Sequence, residues 1–314
     1  MYKCEGHTRD RARRGEEDSM ALTKVEAAKL TNDMLLRGVI ETIVMESSVL
    51  TMLPFMNVTG TALTYNREKT MPAAKFYDVG DTWEEATPEF TQVTVALKIL
   101  GGDADVDNFL QQTYADPNDL EAVVIESRAK AVAHLFSDTF FNGDSTANPK
   151  AFDGLAKLVP PSQTLEPGPD GGALTLDLMD ELIDLVRPGR PDALLMHKRT
   201  RRKLSQLRRT SGNLLETDVD AFGRRALFYD GIPIIVDDFI PIDETLGAGS
   251  NLSSIYAVKF GPSGVMGIEN GGIQIEAIGE LETKDASRHR IKWYAGLALF
   301  SELGVARLRG IEGA

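Results

Sequence analysis

The stretch from Asp116 to Gly143 constrains this chain more than any other. Asp116 is a suitable N-cap, and Pro117 stands at the first helical position, where a missing N–H costs nothing. Asn142-Gly143 supplies a stop at the far end. Between them Leu120, Val124, Ser127, Ala131, Leu135 and Phe136 recur at helical spacing and mark the expected buried face. About 25 residues rising 1.5 Å each make a rod of roughly 37 Å. A rod that long cannot be buried by one short neighbour. Its apolar face must lie along something extended, so the remaining sequence has to supply long strands.

It does. Thr61, Leu63 and Tyr65 alternate with other residues, as do Val93, Val95, Leu97 and Ile99, and both runs read as strands. About 25 residues with Pro72, Gly80, Trp83 and Pro88 separate them, a connection far longer than a compact domain normally uses. The whole reads as a long two-stranded hairpin that protrudes. Phe76, Tyr77 and Trp83 fall in its tip. Exposed aromatics are costly on a monomer and serve as anchors in an interface, so these three are expected to touch a neighbour. Lys69 and Lys75 in the same arm are expected to be solvated.

Elsewhere, residues 1–20 are dense in charge and poor in apolar side chains, the pattern of a disordered tail. Val25, Ala28, Leu35, Leu36, Val39, Ile40 and Ile43 imply amphipathic helix before Pro54. Residues 159–173, rich in Pro and Gly, read as a loop or boundary. Beyond them the chain predicts a helix over Thr175–Val186, a buried strand at Ala193–Met196, a helix over Lys198–Arg209 and a strand at Gly231–Val236. Val265–Ile268 and Ile273–Ala277 predict a hairpin turning at Asn270-Gly271. Ile291, Trp293, Leu297, Leu299, Leu303 and Val305 share one parity and predict a single long half-buried strand. No internal repeat is evident. The fold class is α+β.

Composition narrows the chemistry. With 34 Lys+Arg against 47 Asp+Glu the net charge is −13, which argues against a dedicated nucleic-acid binder. Cys4 is the single cysteine and the four histidines are scattered, so neither a disulfide nor structural zinc is expected. No apolar run approaches the ~18 residues of a membrane span, and the first twenty residues lack a signal-peptide core; an intracellular protein without membrane contact is expected. Gly261-Pro262-Ser263-Gly264 breaks the spacing of a nucleophile elbow. Asp103-x-Asp105-x-Asp107 has the opening rhythm of a calcium loop, but Asn108 and Tyr114 stand where glycine and glutamate are needed, so a polar loop is expected. An acid–base enzyme using carboxylates such as Asp237 and Asp238 is the one catalytic alternative. No catalytic residue, cofactor or metal is assigned. The basic run Thr200–Arg209, with Arg201, Arg202 and Arg208, is expected to meet an acidic segment of another copy, for which Asp81, Glu84, Glu85 and Glu89 are available.

The order of parts, with several local phrases, completes the reading. FFNGDSTANPKAFDGL (140–155) follows the long helix, Leu194-Leu195-Met196-His197 ends a strand, and Gly231–Asp238 is followed by Pro241. Residues 255–276 run strand, turn, strand after an aromatic start, and 292–311 close with Ala306–Arg309. Over about residues 21–311 this resembles the major capsid protein of tailed bacteriophages, with the Hong-Kong-97-type shell fold. The resemblance implies an N-terminal arm and helix (1–55), an extended hairpin loop (56–100), a peripheral domain (101–173) with a spine helix (116–142), an axial domain (174–250) and C-terminal strands shared by both domains (251–314). It implies self-assembly into hexamers and pentamers of an icosahedral shell around double-stranded DNA, located in the virion and assembled in the host bacterial cytoplasm. The implied partners are other copies of the chain, a separate scaffolding protein, a portal, an optional decoration protein, and packaged DNA held only non-specifically. Some members cross-link a loop lysine to an asparagine; Lys69 or Lys75 could serve, but no partner is placed and no cross-link is expected. The rival within the fold is an encapsulin-like nanocompartment shell.

Overall fold

A computed structural model describes residues 47–70, 74–80, 82, 89–109, 117–212, 216–219 and 225–313. The expected charged tail, nearly all of the N-terminal helical region, and Trp83, Glu84 and Glu85 lie outside these residues. The described residues begin with strands β1 (Phe55–Asn57), β2 (Ala62–Thr70), β3 (Glu89–Ala96) and β4 (Lys98–Asp107), then helices α1 (Pro117–Asn142) and α2 (Leu155–Leu158). It continues through β5 (Thr164–Leu165), α3 (Leu176–Leu185), β6 (Ala193–Met196), α4 (Lys198–Thr210), β7 (Glu216–Val219), β8 (Arg225–Tyr229), β9 (Ile232–Val236) and β10 (Glu244–Leu246). Three long strands and a shorter one follow in turn: β11 (Gly249–Val258), β12 (Val265–Glu280), β13 (Ala286–Leu299) and β14 (Val305–Ile311).

The long helix has the extended partner its length demands. A four-stranded sheet, β1-β12-β13-β4, carries Leu100, Ala104, Ile291, Trp293, Ala295 and Leu297 toward α1. An eight-stranded sheet, β5-β14-β11-β6-β9-β8-β7 with β10 paired to β11, supplies Ala193, Leu195, Tyr256, Val258 and Val305 to the same core. Phe136 stands at the centre, with ring centroids 4.8 Å from Trp293, 5.6 Å from Phe152, 5.9 Å from Phe55 and 6.4 Å from Phe140. On the other face of the larger sheet, Leu194, Met196, Ile255, Ala257, Ala306 and Leu308 pack with Met179, Leu182, Ile183 and Leu204 from α3 and α4. Successive side chains of a strand point to opposite faces, so β6 contributes its odd residues to one core and its even residues to the other.

The buried face of α1 differs from expectation. Ile125, Ala129, Val132, Ala133, Phe136, Ser137, Phe140 and Phe141 are inside, whereas Ser127, Ala131 and Leu135 are exposed. The helix carries apolar residues almost all round, Val123 and Leu135 among them on the outside, so spacing alone does not select the stripe. Gly143 ends it for a reason other than left-handed backbone. The return segment crosses so close that a Cβ at Gly143 would lie 2.3 Å from the Phe152 carbonyl oxygen, and one at Gly154 would lie 2.5 Å from that of Thr139.

Three further expectations are corrected. Asn270-Gly271 is no hairpin turn: β12 runs straight through it, pairing Glu269 with Ala295 and Ile273 with Trp293, so residues 270–272 bulge opposite Tyr294. Positive φ at Gly271 (74°) and Gly272 (68°) makes that bulge possible. The single long terminal strand is two, because a 3₁₀ turn at Glu302–Gly304 carries the chain from one sheet to the other and leaves Leu303 exposed. The Asp103-x-Asp105-x-Asp107 segment is strand rather than loop. It forms β4, which pairs with β13 along ten residues from Lys98 to Asp107.

Candidate assembly surfaces

The hairpin is built as the alternation predicts at its base. β2 and β3 pair with Leu63 opposite Val95 and Tyr65 opposite Val93. That base folds onto its own chain. Leu63, Tyr65, Val95 and Leu97 pack with Met56 and Phe300 around Val58, Ile268 and Ala298. The Tyr65 hydroxyl donates to the Leu299 carbonyl oxygen at 2.6 Å, Arg67 Nη2 donates to the same oxygen at 2.5 Å, and Arg67 Nη1 pairs with Glu302. The Tyr65 ring lies 4.7 Å from that of Phe300. Burial pushes the Tyr65 hydroxyl pKa up, against the opposing pull of Arg67. These anchors were not singled out from sequence, although Tyr65 and Arg67 sit on the same side of a period-2 run.

The tip behaves differently. Phe76 and Val79 are fully exposed, Lys75 is exposed, and Tyr77 is half-exposed. Two large apolar side chains in water, on an arm whose root is fastened, are the arrangement of an anchor lacking its pocket. Trp83, Glu84 and Glu85 lie outside the described residues, so Phe76 and Tyr77 alone represent the expected hairpin contacts.

Helix α4 presents the basic run. His197 caps its start, the Nδ1 atom accepting from the Arg199 amide at 3.2 Å, and burial lowers the His197 pKa despite the opposing pull of Asp238. Thr200 and Leu204 face the core. Arg202 is exposed and Arg201 half-buried, with no ion-pair partner among the described residues. Arg208 is engaged within the chain: its guanidinium lies 5.3 Å over the Tyr229 ring, whose hydroxyl donates to Asp180 at 2.7 Å. Burial and that carboxylate together raise the Tyr229 pKa strongly.

The segments weighed for catalysis or metal have structural partners. Asp103 is bonded by Arg290 at 2.7 and 2.9 Å, and Asp105 by Arg288 at 2.6 and 2.8 Å, which holds both carboxyls below the usual range. The calcium-like rhythm is therefore strand alternation, placing acids on one face opposite the arginines of β13. Asp237 accepts from the Phe239 amide at 2.9 Å, its pKa raised by burial, and Asp238 pairs with Lys198 at 2.9 Å. Among the described residues no group of three or more His, Cys, Asp or Glu side chains could hold a metal ion, and no helix is long and apolar enough to cross a membrane.

A fastened hairpin with a bare apolar tip, a long central helix and two sheets on either side of it form one recognisable assembly. The sequence profile of the phage capsid family matches residues 30–309. The chain belongs to the phage capsid family. A search of curated proteins found no match. Among solved structures, an encapsulin from Synechococcus elongatus PCC 7942 is similar at TM-score 0.68 and 18% identity, over 84% of this chain and 86% of that one. The capsid of a native GTA particle follows at 0.63 and 16%, over 85% and 90%. A structure from Microbacterium phage Oxtober96 stands at 0.62 and 15%, over 84% and 90%. The fold is thus the Hong-Kong-97-type shell fold expected from the order of parts, and the chain is a shell-forming major capsid protein with a structural role.

Proposed function

We propose that this capsid protein builds the head of a tailed bacteriophage by closing into hexamers and pentamers, which tile an icosahedral shell around double-stranded DNA. The observation that carries this reading is the hairpin, fastened at Tyr65 and Arg67 and bare at Phe76 and Val79. One such contact between unlike surfaces, repeated by rotation, generates a ring. The net charge of −13 favours a wall that does not hold packaged phosphates tightly, so DNA is a non-specific neighbour. The partners are other copies, a separate scaffolding protein, a portal and an optional decoration protein; the site of action is the virion, after assembly in the host cytoplasm. Within this scheme residues 174–250 form the axial unit and residues 101–173 the peripheral unit.

The encapsulin likeness supports a second reading, a protein-filled compartment. Purified shells separate the two, since phage heads package nucleic acid and a nanocompartment encloses protein cargo. For the assembly step, Phe76→Ser combined with Val79→Ser is expected to leave circular dichroism and melting of the isolated chain unchanged. Shell yield should fall about tenfold or more, the effect of ~1.4 kcal/mol per contact. Shells at wild-type yield by sedimentation contradict a role for the tip.

A further inference from the structure

Helices α3 and α4 share one face of the eight-stranded sheet and carry opposite charge. α3 packs over β14. α4 is the crossover from β6 to the parallel strand β9, and its Arg208 reaches Tyr229 of β8. In the strand order β14-β11-β6-β9-β8 these contacts lie on opposite sides of the central pair. The two helices lie side by side, α3 on the β14 side and α4 on the β8 side, and meet where Asp180 and Arg208 both engage Tyr229.

Their outward stripes are regular. Asp177, Glu181 and Asp184 are exposed on α3 at the spacing i, i+4, i+7, about 10 Å along the axis. Arg199, Arg202 and Arg209 are exposed on α4 at i, i+3, i+10, about 15 Å along the axis. None of these six side chains has an ion-pair partner among the described residues; Arg209 Nε donates only to the Ser205 carbonyl oxygen. The contact between the two helices within one chain uses other groups, Asp180, Tyr229 and Arg208.

Seven cationic side chains within a 13-residue helix repel one another. Within one chain Asp238 pairs with Lys198 and the Tyr229 ring takes Arg208, which leaves the exposed arginines to water. In a ring of copies each carrying −13, a cationic surface is most useful at a seam, where it offsets the repulsion between neighbours and fixes their register. The matching acidic stripe is exposed on the neighbouring helix of the same layer, so a head-to-tail contact between unlike surfaces can join the two stripes of adjacent copies.

We propose that α4 of each copy docks its Arg199–Arg202–Arg209 stripe against the Asp177–Glu181–Asp184 stripe of α3 in the next copy. This inference rests on the shell reading and names the seam. It replaces the acidic hairpin segment as the partner of the basic helix.

Charge reversal tests it. Arg199→Glu with Arg202→Glu, and separately Asp177→Lys with Glu181→Lys, should each lower shell yield about tenfold or more, equivalent to ~1.4 kcal/mol, while the isolated chain melts as wild type. The four reversals in one chain restore the complementarity and should restore yield. Assembly of wild type should weaken toward 1 M salt, where the screening length is ~3 Å. Single reversals that assemble at wild-type yield overturn the seam and leave the shell reading standing. A folded quadruple variant that fails to assemble overturns it too. So does an α4 reversal that assembles normally but loses only its packaged nucleic acid, because the basic helix then faces phosphate. A wild-type chain that never assembles removes the shell reading itself.

Discussion

Phe136→Ala is expected to lower the unfolding free energy of the isolated chain by about 3–5 kcal/mol, read as a lower denaturant midpoint with little change in slope. Phe136 is completely buried and touches four other rings, drawn from β1, from β13, from α1 itself and from the segment returning after it. Removing it opens a cavity where the helix and the four-stranded sheet meet. The site collapses poorly, because Trp293 is held from its far end: its Nε1 donates to Glu269 at 2.9 Å. Val123→Ala, on the outer surface of the same helix, should change stability by less than about 0.5 kcal/mol. Equal losses for the two variants contradict the placement of the stripe.

Arg307→Met is expected to cost a comparable amount, about 3–5 kcal/mol, through a different cause. Arg307 is buried in β14, and its Nη2 donates to Glu244 of β10 at 2.9 Å. Nε donates to Ser254 of β11 at 3.1 Å, and Nη1 to the Ala156 carbonyl oxygen of α2 at 3.3 Å. The guanidinium also lies 5.4 Å over the Tyr256 ring. Ser254 in turn donates to Glu244 at 2.7 and 3.0 Å. Losing the cation leaves the Glu244 carboxylate largely shielded from water with a single hydroxyl donor. Adding Glu244→Leu removes that stranded charge, so the double variant should regain a large part of the loss. A double variant as unstable as the sum of the singles contradicts coupling through this pair.

How far these features were legible in sequence depends on the range of the force that decides each one. Thr175 and His197 cap α3 and α4 from the preceding position, and the alternation of Leu63, Tyr65, Val93 and Val95 carried the hairpin; those signals are local. Asn270-Gly271 looks the same locally whether it turns a hairpin or bulges a strand. The choice is made by β13, which offers fourteen residues of partner and keeps β12 straight. Asp103 and Asp105 looked like loop because acids are depleted in strands; Arg288 and Arg290, far along the chain, reverse that cost. Parity carried Ile291 to Leu299 correctly and then misled at Leu303, because parity counts residues through a 3₁₀ turn as though it were strand.

For the assembly surfaces the contrast is similar. Phe76 stood out as an aromatic in a long connection, and it is bare. Val79 beside it was overlooked because a lone valine in such a segment is ordinary. Arg201, Arg202 and Arg208 stood out by charge, yet Arg208 is spent on Tyr229 inside the chain. The acidic stripe of α3 was present in the sequence at helical spacing, and its meaning came only with the second helix laid beside it.

Electron microscopy of the purified chain, expressed alone and with a candidate scaffolding protein, decides whether it builds a shell. Uniform closed shells with fivefold and sixfold clusters are the predicted result. A monodisperse monomer of 34.3 kDa under both conditions contradicts it.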